Sequence, residues 1–336
     1  MLTDRIPRVS IAHLPTPLEP LPRLATLLNG PQIWVKRDDQ TGLATGGNKA
    51  RKLEFLVAQA LAQGADTLIT CGAAQSNHAR QTAAAAARFG LSCVLVLRGA
   101  PPQQIQGNLL LDHVLGAEIV WAGDAPLADR MEEIAESLRA QGRRPYIVPY
   151  GGSNALGVCG YVAAMEELLA QSAREGLMFD HIVLASSSGG TQAGLSIAAR
   201  ARGYRGCILG ISVDLQADPL RRRIADLAAE TADLLGLRLS FTPEDFAVED
   251  GYIGGGYGVV GDLEREAIRL LAQTEGLLLD PVYTGRAFGG LIDLIRRGAF
   301  SPQERVLFWH TGGVAGLFAR SDIFEFHTLE NSDREG

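Results

Sequence analysis

Residues 181–203 read HIVLASSSGGTQAGLSIAARARG. A β-branched and apolar run breaks into three serines and two glycines, then resumes as an alanine-rich stretch that favours helix until Gly203 ends it. Apolar residues without alternation mark a strand buried on both faces, and a helix directly after it is the crossover of a parallel sheet. The same unit recurs along the chain. Upstream, 32–39, 67–73, 92–99, 118–123 and 145–152 read as strands; helices are predicted over 48–64, 76–90, 106–116, 126–142 and near 154–173. Downstream, CILGISVD (207–214) and RVLFWHTGG (305–313) read as strands, with helices near 218–236, 262–275 and 286–297. The least regular stretch is 237–261, which contains GGGYGVVG, and the polar end ENSDREG (330–336) reads as frayed. The rhythm specifies an α/β protein built on mainly parallel sheets.

The bulk numbers narrow the function. A chain of 336 residues, 46% hydrophobic and 21% charged, is sized for one large domain or two moderate ones. A net charge of −7 argues against nucleic acid or an anionic membrane as main partner. The start, MLTDRIPRVSIAHLPTPLEP, is charged and proline-broken, and there is no long uncharged apolar run, so the protein reads as cytosolic and not as a membrane protein. Four cysteines and six histidines are scattered without ligand spacing, so neither a disulfide framework nor a metal site is expected.

In doubly wound sheets ligands bind where strands end and helices begin, which makes four turns informative. TGGNKARK (45–52) holds Lys49 and Lys52, two of only three lysines among 31 basic residues. Arginine cannot replace lysine where an amine must lose its proton and condense with a carbonyl. Asn48 is the expected N-cap, and the positive helix terminus is expected to lower the pKa of Lys49. CGAAQSNHARQ (71–81) crowds Gln75, Ser76, Asn77 and His78 into a strand-to-helix turn; capping needs one such residue, and the backbone amides there suit a carboxylate. ASSSGGTQAG (185–194) offers hydroxyls and free amides to a phosphate, without being a Walker loop or a GxGxxG fingerprint. The fourth signal is double: DPVYTGRAFGG and FWHTGG set Tyr283, Thr284 and Thr311 beside glycines. An amine, a phosphate cradle, a carboxylate turn and neutral hydroxyls together describe a site for pyridoxal 5′-phosphate (PLP) acting on an amino acid.

These residues resemble a known family. GGNKARKLE, GAAQSNHARQTAA, SSSGGTQAG, DPVYTGRAFGGLIDLI and HTGG, with LPTPLE and KRDD near the start, are similar to the PLP-dependent group containing 1-aminocyclopropane-1-carboxylate deaminase, D-cysteine desulfhydrase and L-cysteate sulfo-lyase. The resemblance runs from about residue 13 to 320. It implies a fold type II (tryptophan-synthase-β-like) α/β enzyme with two open, mainly parallel sheets, usually a homodimer. A large PLP-binding domain over 1–50 and 162–336 would carry a small inserted domain at 51–161. By matching position, Lys49 would form the Schiff base and Lys52 would lie near the phosphate held by Ser188, Gly189, Gly190 and Thr191. Asn77 would contact the cofactor's 3′-oxygen. Ser76 would sit near the substrate carboxylate or Cα proton, within the turn that also holds Gln75 and His78. Tyr283 and Tyr257 would face the substrate.

The departures from the family pattern select the chemistry. The cyclopropane deaminases carry glutamate after the motif tyrosine and leucine in HxGG, where this chain has Thr284 and Thr311. A carboxylate would keep the pyridine protonated as a strong electron sink, which ring opening needs; threonine hydroxyls at a neutral pyridine suffice to expel a good β-leaving group. The reading is therefore β-elimination from a sulfur-containing amino acid, first D-cysteine giving pyruvate, ammonia and sulfide. Lys49, Ser76 and Tyr283 would be the catalytic groups. L-cysteate with release of sulfite stays open, with Arg286 a candidate cation for a sulfonate if helix phase turns it inward. Ring opening ranks lower. A PLP or amino-acid binding protein without turnover remains the reading from a different class, whereas a nucleotide-dependent oxidoreductase lacks its glycine fingerprint and ribose-binding acid.

Overall fold

The computed structural model describes residues 1–324; the polar end at 330–336 lies outside the described residues. Among the described residues ten strands form two sheets. The larger holds β1 (Leu18–Pro20), β2 (Gln32–Arg37), β7 (His181–Ser186), β8 (Cys207–Ser212), β9 (Ala247–Glu249) and β10 (Arg305–His310), in the order β1-β2-β10-β7-β8-β9. Only the β1–β2 pair is antiparallel. The smaller sheet holds β3 (Thr67–Gly72), β4 (Ser92–Leu97), β5 (Glu118–Trp121) and β6 (Pro145–Ile147), all parallel, in the order β5-β4-β3-β6. The helices are α1 (Pro22–Leu28), α2 (Lys49–Ala62), α3 (Asn77–Arg88), α4 (Gly107–Val114), α5 (Leu127–Ala140), α6 (Ala155–Glu175), α7 (Gly190–Ala201), α8 (Ala217–Leu234), α9 (Asp262–Glu275), α10 (Thr284–Arg296) and α11 (Val314–Leu317). No helix among the described residues is long and apolar enough to cross a membrane.

The period-2 geometry of a strand explains why the central strands read as unbroken apolar runs. In β7 and β10, Ile182, Leu184, Leu307 and Trp309 pack on one face with Tyr161 of α6, Leu195 of α7 and Ile224 of α8. Val183, Val306 and Phe308 pack on the other with Ile268 of α9 and Phe288 and Leu291 of α10. The small sheet repeats the scheme: Leu68 and Leu95 join α2 and α3, while Ile69, Val94 and Val96 join Met131 and Ala135 of α5. Two sequence expectations needed correction. The strand expected over 145–152 ends at Ile147 and gives way to a helical turn at Tyr150–Gly152. Inside the irregular stretch 237–261 lies β9, whose three residues close the large sheet at one edge; so short a run carries no readable period.

One buried polar cluster ties the layers together. Asp38, just past β2, accepts hydrogen bonds from Arg51 Nε and Nη2 (2.9 and 2.8 Å), Thr16 Oγ1 (2.9 Å), Tyr161 OH (2.6 Å) and Trp309 Nε1 (2.8 Å). Glu167 of α6 accepts from Arg51 Nη1 and Nη2 (3.0 and 2.9 Å) and from Lys36 Nζ (2.6 Å). Burial alone would raise the Asp38 carboxyl, but the adjacent Arg51 guanidinium and the other donors hold it down at about 2. Breaking a buried pair strands its partner: Asp38→Ala is expected to cost about 3–5 kcal/mol of unfolding free energy. Urea denaturation checks this, and a loss below about 1 kcal/mol would show that α2 is held by its apolar face instead.

Candidate active site

The carboxyl ends of β3, β7 and β10 face one another across a cavity. Asn48 and Lys49 line it at the start of α2, Ser76, Asn77 and His78 at the start of α3, and Ser186–Gly189 with Thr191 at the start of α7. Tyr150, Gly151, Tyr257, Tyr283, Thr311 and Gly312, with Ala73 and Ala185, complete the wall. Of the residues expected from sequence, the structure brings Lys49, Ser76, Asn77, His78, Ser188, Gly189, Thr191, Tyr257, Tyr283 and Thr311 to this one space. Lys52 and Gly190 stand just behind it, and Gln75 and Thr284 do not reach it.

The three lysines divide by partner. Lys36 is neutralised by Glu167 at 2.6 Å. Lys49 and Lys52 have no carboxylate within ion-pair distance among the described residues; both donate to the carbonyl of Gly151, at 3.1 and 3.2 Å, and Lys52 also to Ser153 Oγ at 2.9 Å. Burial lowers the Lys49 pKa to about 8, and burial together with the Lys49 charge pushes Lys52 well down. Burial acts here in addition to the helix start at which Lys49 sits. Asn48 makes no capping hydrogen bond; its amide instead reaches Thr191 Oγ1 at 3.3 Å. Two adjacent amines, Lys52 fully buried and Lys49 half-buried, without a counter-charge form a site short of an anion.

The anion's place is the start of α7. No side chain caps that helix, and Gly189 there has φ of 81°. A Cβ on Gly190 would fall 2.6 Å from Ser153 Oγ and 2.9 Å from Lys52 Nζ, so only glycine leaves the amides and the ammonium open to a ligand. Ser188 Oγ lies 2.8 Å from Ser153 Oγ on the same rim. Open amides, hydroxyls and an ammonium fit a phosphate, and Lys49 beside them is an amine poised near neutrality. PLP fits this donor set.

The four polar residues at 75–78 have four different tasks. Ser76 caps α3, its Oγ accepting from the Ala79 amide at 3.1 Å. That bond uses a lone pair and leaves the hydroxyl proton free. Asn77 Oδ1 accepts from Asn108 Nδ2 (2.9 Å) and Arg80 Nη1 (3.3 Å), which leaves its Nδ2 as a donor. His78 Nε2 lies 2.9 Å from Thr70 Oγ1, and burial, then the two lysine charges, hold the ring neutral. Gln75, expected at the substrate, is spent on packing: its Nε2 donates to the Gln106 carbonyl (3.0 Å) and its Oε1 accepts from the Asn108 amide (2.9 Å). It docks α4 behind the turn.

At the opposite wall the two tyrosine hydroxyls are 2.6 Å apart, and burial raises both pKa values. Thr284 was expected beside Thr311 but is fully buried in the first turn of α10. Its hydroxyl donates to Asp280 Oδ1 (2.7 Å) and accepts from the Asp280 amide (2.8 Å). The remaining bonds to Asp280 come from the amides of Thr284 (2.7 Å), Val282 and Tyr283 (both 2.9 Å), so both carboxylate oxygens are occupied. Of the pair only Thr311 lines the cavity, and no Asp or Glu lines it among the described residues. Arg286 also points away from it, into an ion pair with Glu264 at 2.7 Å.

Sequence reading missed Tyr150, Gly151 and Ser153. The signal was present in YGGSN (150–154), a further glycine-rich strand-to-helix turn, but the strand assigned there hid it. Gly151, with φ of 64°, turns its carbonyl toward both lysines.

Comparison with known proteins places the chain in a family. A family model for pyridoxal-phosphate dependent enzymes matches residues 9–312. D-cysteine desulfhydrase of Klebsiella pneumoniae (strain 342) is 44% identical, with 94% of this chain and 96% of that protein covered. 1-Aminocyclopropane-1-carboxylate deaminase of Burkholderia vietnamiensis (strain G4 / LMG 22486) is 41% identical, covering 96% and 99%. A solved structure described as an ACC deaminase homologue superposes with a TM-score of 0.88 at 41% identity, covering 96% of each chain. Fold, site and similarity converge: the chain is a fold type II member of the 1-aminocyclopropane-1-carboxylate deaminase/D-cysteine desulfhydrase family of PLP-dependent lyases.

Proposed function

We propose that the protein eliminates sulfide from D-cysteine, consuming one water and giving pyruvate and ammonia. The observation that carries this reading is Thr311 lining the cavity with no carboxylate in its wall among the described residues, since the nearby Asp280 has both oxygens committed to the start of α10. A hydroxyl does not hold a pyridine protonated, and a thiol is a better leaving group than a ring carbon. The 44% identity to a D-cysteine desulfhydrase supports the same choice. Against L-cysteate stands the count of cations: Lys49 is the only lysine or arginine lining the cavity among the described residues, and Arg286 is spent on Glu264. A fixed sulfonate would lack a partner.

The roles follow from the contacts. Bound PLP supplies the electron sink that acidifies the substrate's Cα–H bond. Lys49 is the residue that would bind the cofactor's carbonyl carbon, and its amine, lowered to about 8, is the base for the Cα proton. Lys52, Ser188, Gly189, Gly190 and Thr191 would hold the phosphate. The open start of α3 and the Ser76 hydroxyl proton are the donors for the substrate carboxylate. Asn77, with Oδ1 already filled, presents Nδ2 to an acceptor such as the cofactor's 3′-oxygen. Tyr283 and Tyr257 share one proton between their oxygens, which leaves one phenolic proton for the departing sulfur.

Three outcomes are expected. D-cysteine incubated with PLP-loaded protein yields sulfide and pyruvate, whereas L-cysteate yields no sulfite; release of 2-oxobutyrate from 1-aminocyclopropane-1-carboxylate at a comparable rate would sink the assignment. Lys49→Ala loses both the visible absorbance of bound cofactor and at least about 10³-fold in turnover, because covalent catalysis and the base vanish together. Tyr283→Phe lowers kcat by about 10²-fold with PLP content unchanged, and an unaltered kcat would remove Tyr283 from proton transfer.

A further inference from the structure

Arg286 is almost fully buried, at 1% exposure, yet none of its donors faces the cavity. Its Nε donates to Glu264 Oε1 at 2.7 Å, Nη1 to the carbonyls of Val213 and Gly256 (both 2.9 Å), and Nη2 to that of Val259 at 2.6 Å. Glu264 is buried as well, and its second oxygen accepts from the Gly261 amide at 2.7 Å. Every contact but Val213 therefore falls on residues 256–264, the loop that delivers Tyr257 and the first turn of α9 behind it. Beyond its own turn bonds, such as Gly256 N to the Ile253 carbonyl (3.1 Å), that loop is held by Arg320 Nη1 on the Gly258 carbonyl (3.2 Å), so Arg286 supplies two of its main side-chain anchors, at Gly256 and Val259. Gly254, Gly256 and Gly258 all adopt positive φ (59°, 108° and 74°), and Tyr257 itself is 39% exposed. Arg286 sits three residues beyond Tyr283, in the first turn of α10. One helical turn thus sends Tyr283 to the cavity on one side and, through the guanidinium fork, fixes the backbone on either side of Tyr257 on the other.

We infer that Arg286 and Glu264 are positioning residues that set the distance between the Tyr257 and Tyr283 hydroxyls and so tune the handling of the substrate's β-substituent. The assignment rests on the proposed site in one respect, that the tyrosine pair faces the substrate. Lysine in place of Arg286 keeps the charge beside Glu264 but cannot span the carbonyls of residues 213, 256 and 259 with one ammonium. Glutamine in place of Glu264 keeps an acceptor for one of its two donors and removes the ion pair. Both variants leave the phosphate loop, Lys49 and the α3 turn untouched.

The test is a cycle on the PLP-loaded enzyme comprising Arg286→Lys, Tyr257→Ala and their double variant, with Glu264→Gln prepared in parallel in case the lysine variant does not fold. Arg286→Lys is expected to lower kcat/KM for D-cysteine by at least about tenfold while PLP content and the visible spectrum stay as in the parent. In the Tyr257→Ala background the same change should have less than about a twofold effect. Multiplicative losses, cofactor loss in step with activity, or no loss would each overturn the inference. Backbone hydrogen exchange over 250–261 is read on the same variants and needs no substrate. Exchange at least about tenfold faster in Arg286→Lys supports the clamp, and unchanged exchange overturns it. An inactive parent with a loosened loop in the variant would indict the D-cysteine assignment and leave the clamp standing.

Discussion

The Asp38–Arg51 pair is the constraint on which the site depends. Arg51 lies two residues beyond Lys49 on α2, so fixing its guanidinium on Asp38 and Glu167 fixes the rotation and height of the whole helix. Lys49 and Lys52 are thereby aimed at the Gly151 carbonyl and the α7 terminus. The same carboxylate takes the Trp309 indole, and β10 continues directly into Thr311. One buried charge thus registers α2 against the strand end that carries the hydroxyl opposite it. Such pairs return little net stability over an apolar replacement, but removing one member leaves the other stranded, which makes the geometry all-or-none.

The chain also separates structural from functional charge by how it is compensated. Lys36, Arg51 and Arg286 are buried with carboxylates and surrounded by acceptors, so they are finished before any ligand arrives. Lys52, fully buried, and Lys49, half-buried, share one carbonyl and have no counter-ion among the described residues. An uncompensated buried ammonium is costly, and the cost is relieved by an anion or by losing the proton. A phosphate held beside Lys52 and a carbonyl bound at Lys49 would be those two reliefs under the proposed function.

Much of this was readable in the sequence because it is local. The strand runs, the helix starts and the glycine-serine turn at 186–190 announce themselves by period and by residue type, and retaining lysine at 49 is a chemical statement independent of fold. Local logic failed where a side chain had two neighbours to choose from. Thr284 follows the motif tyrosine but falls on the inner face of α10 and satisfies Asp280, while Gln75 turns back to dock α4. Tyr150 and Gly151 were hidden because VPYGG continues an apolar strand in composition, whereas β6 ends at Ile147 and the chain turns through positive φ at Gly151 and Gly152.

What the sequence by itself determined was the alternating α/β architecture, the PLP-type chemistry of its turns and the family, because periodicity, turn chemistry and motif identity are properties of short segments. What only the tertiary structure decided was which of the two threonines lines the cavity, that Arg286 bonds the backbone around Tyr257 and does not line the cavity, and that burial lowers Lys49. Each depends on the direction a side chain takes and the charges it meets across distances of tens to hundreds of residues in the chain. Desolvation and counter-charge exist only once those segments have packed.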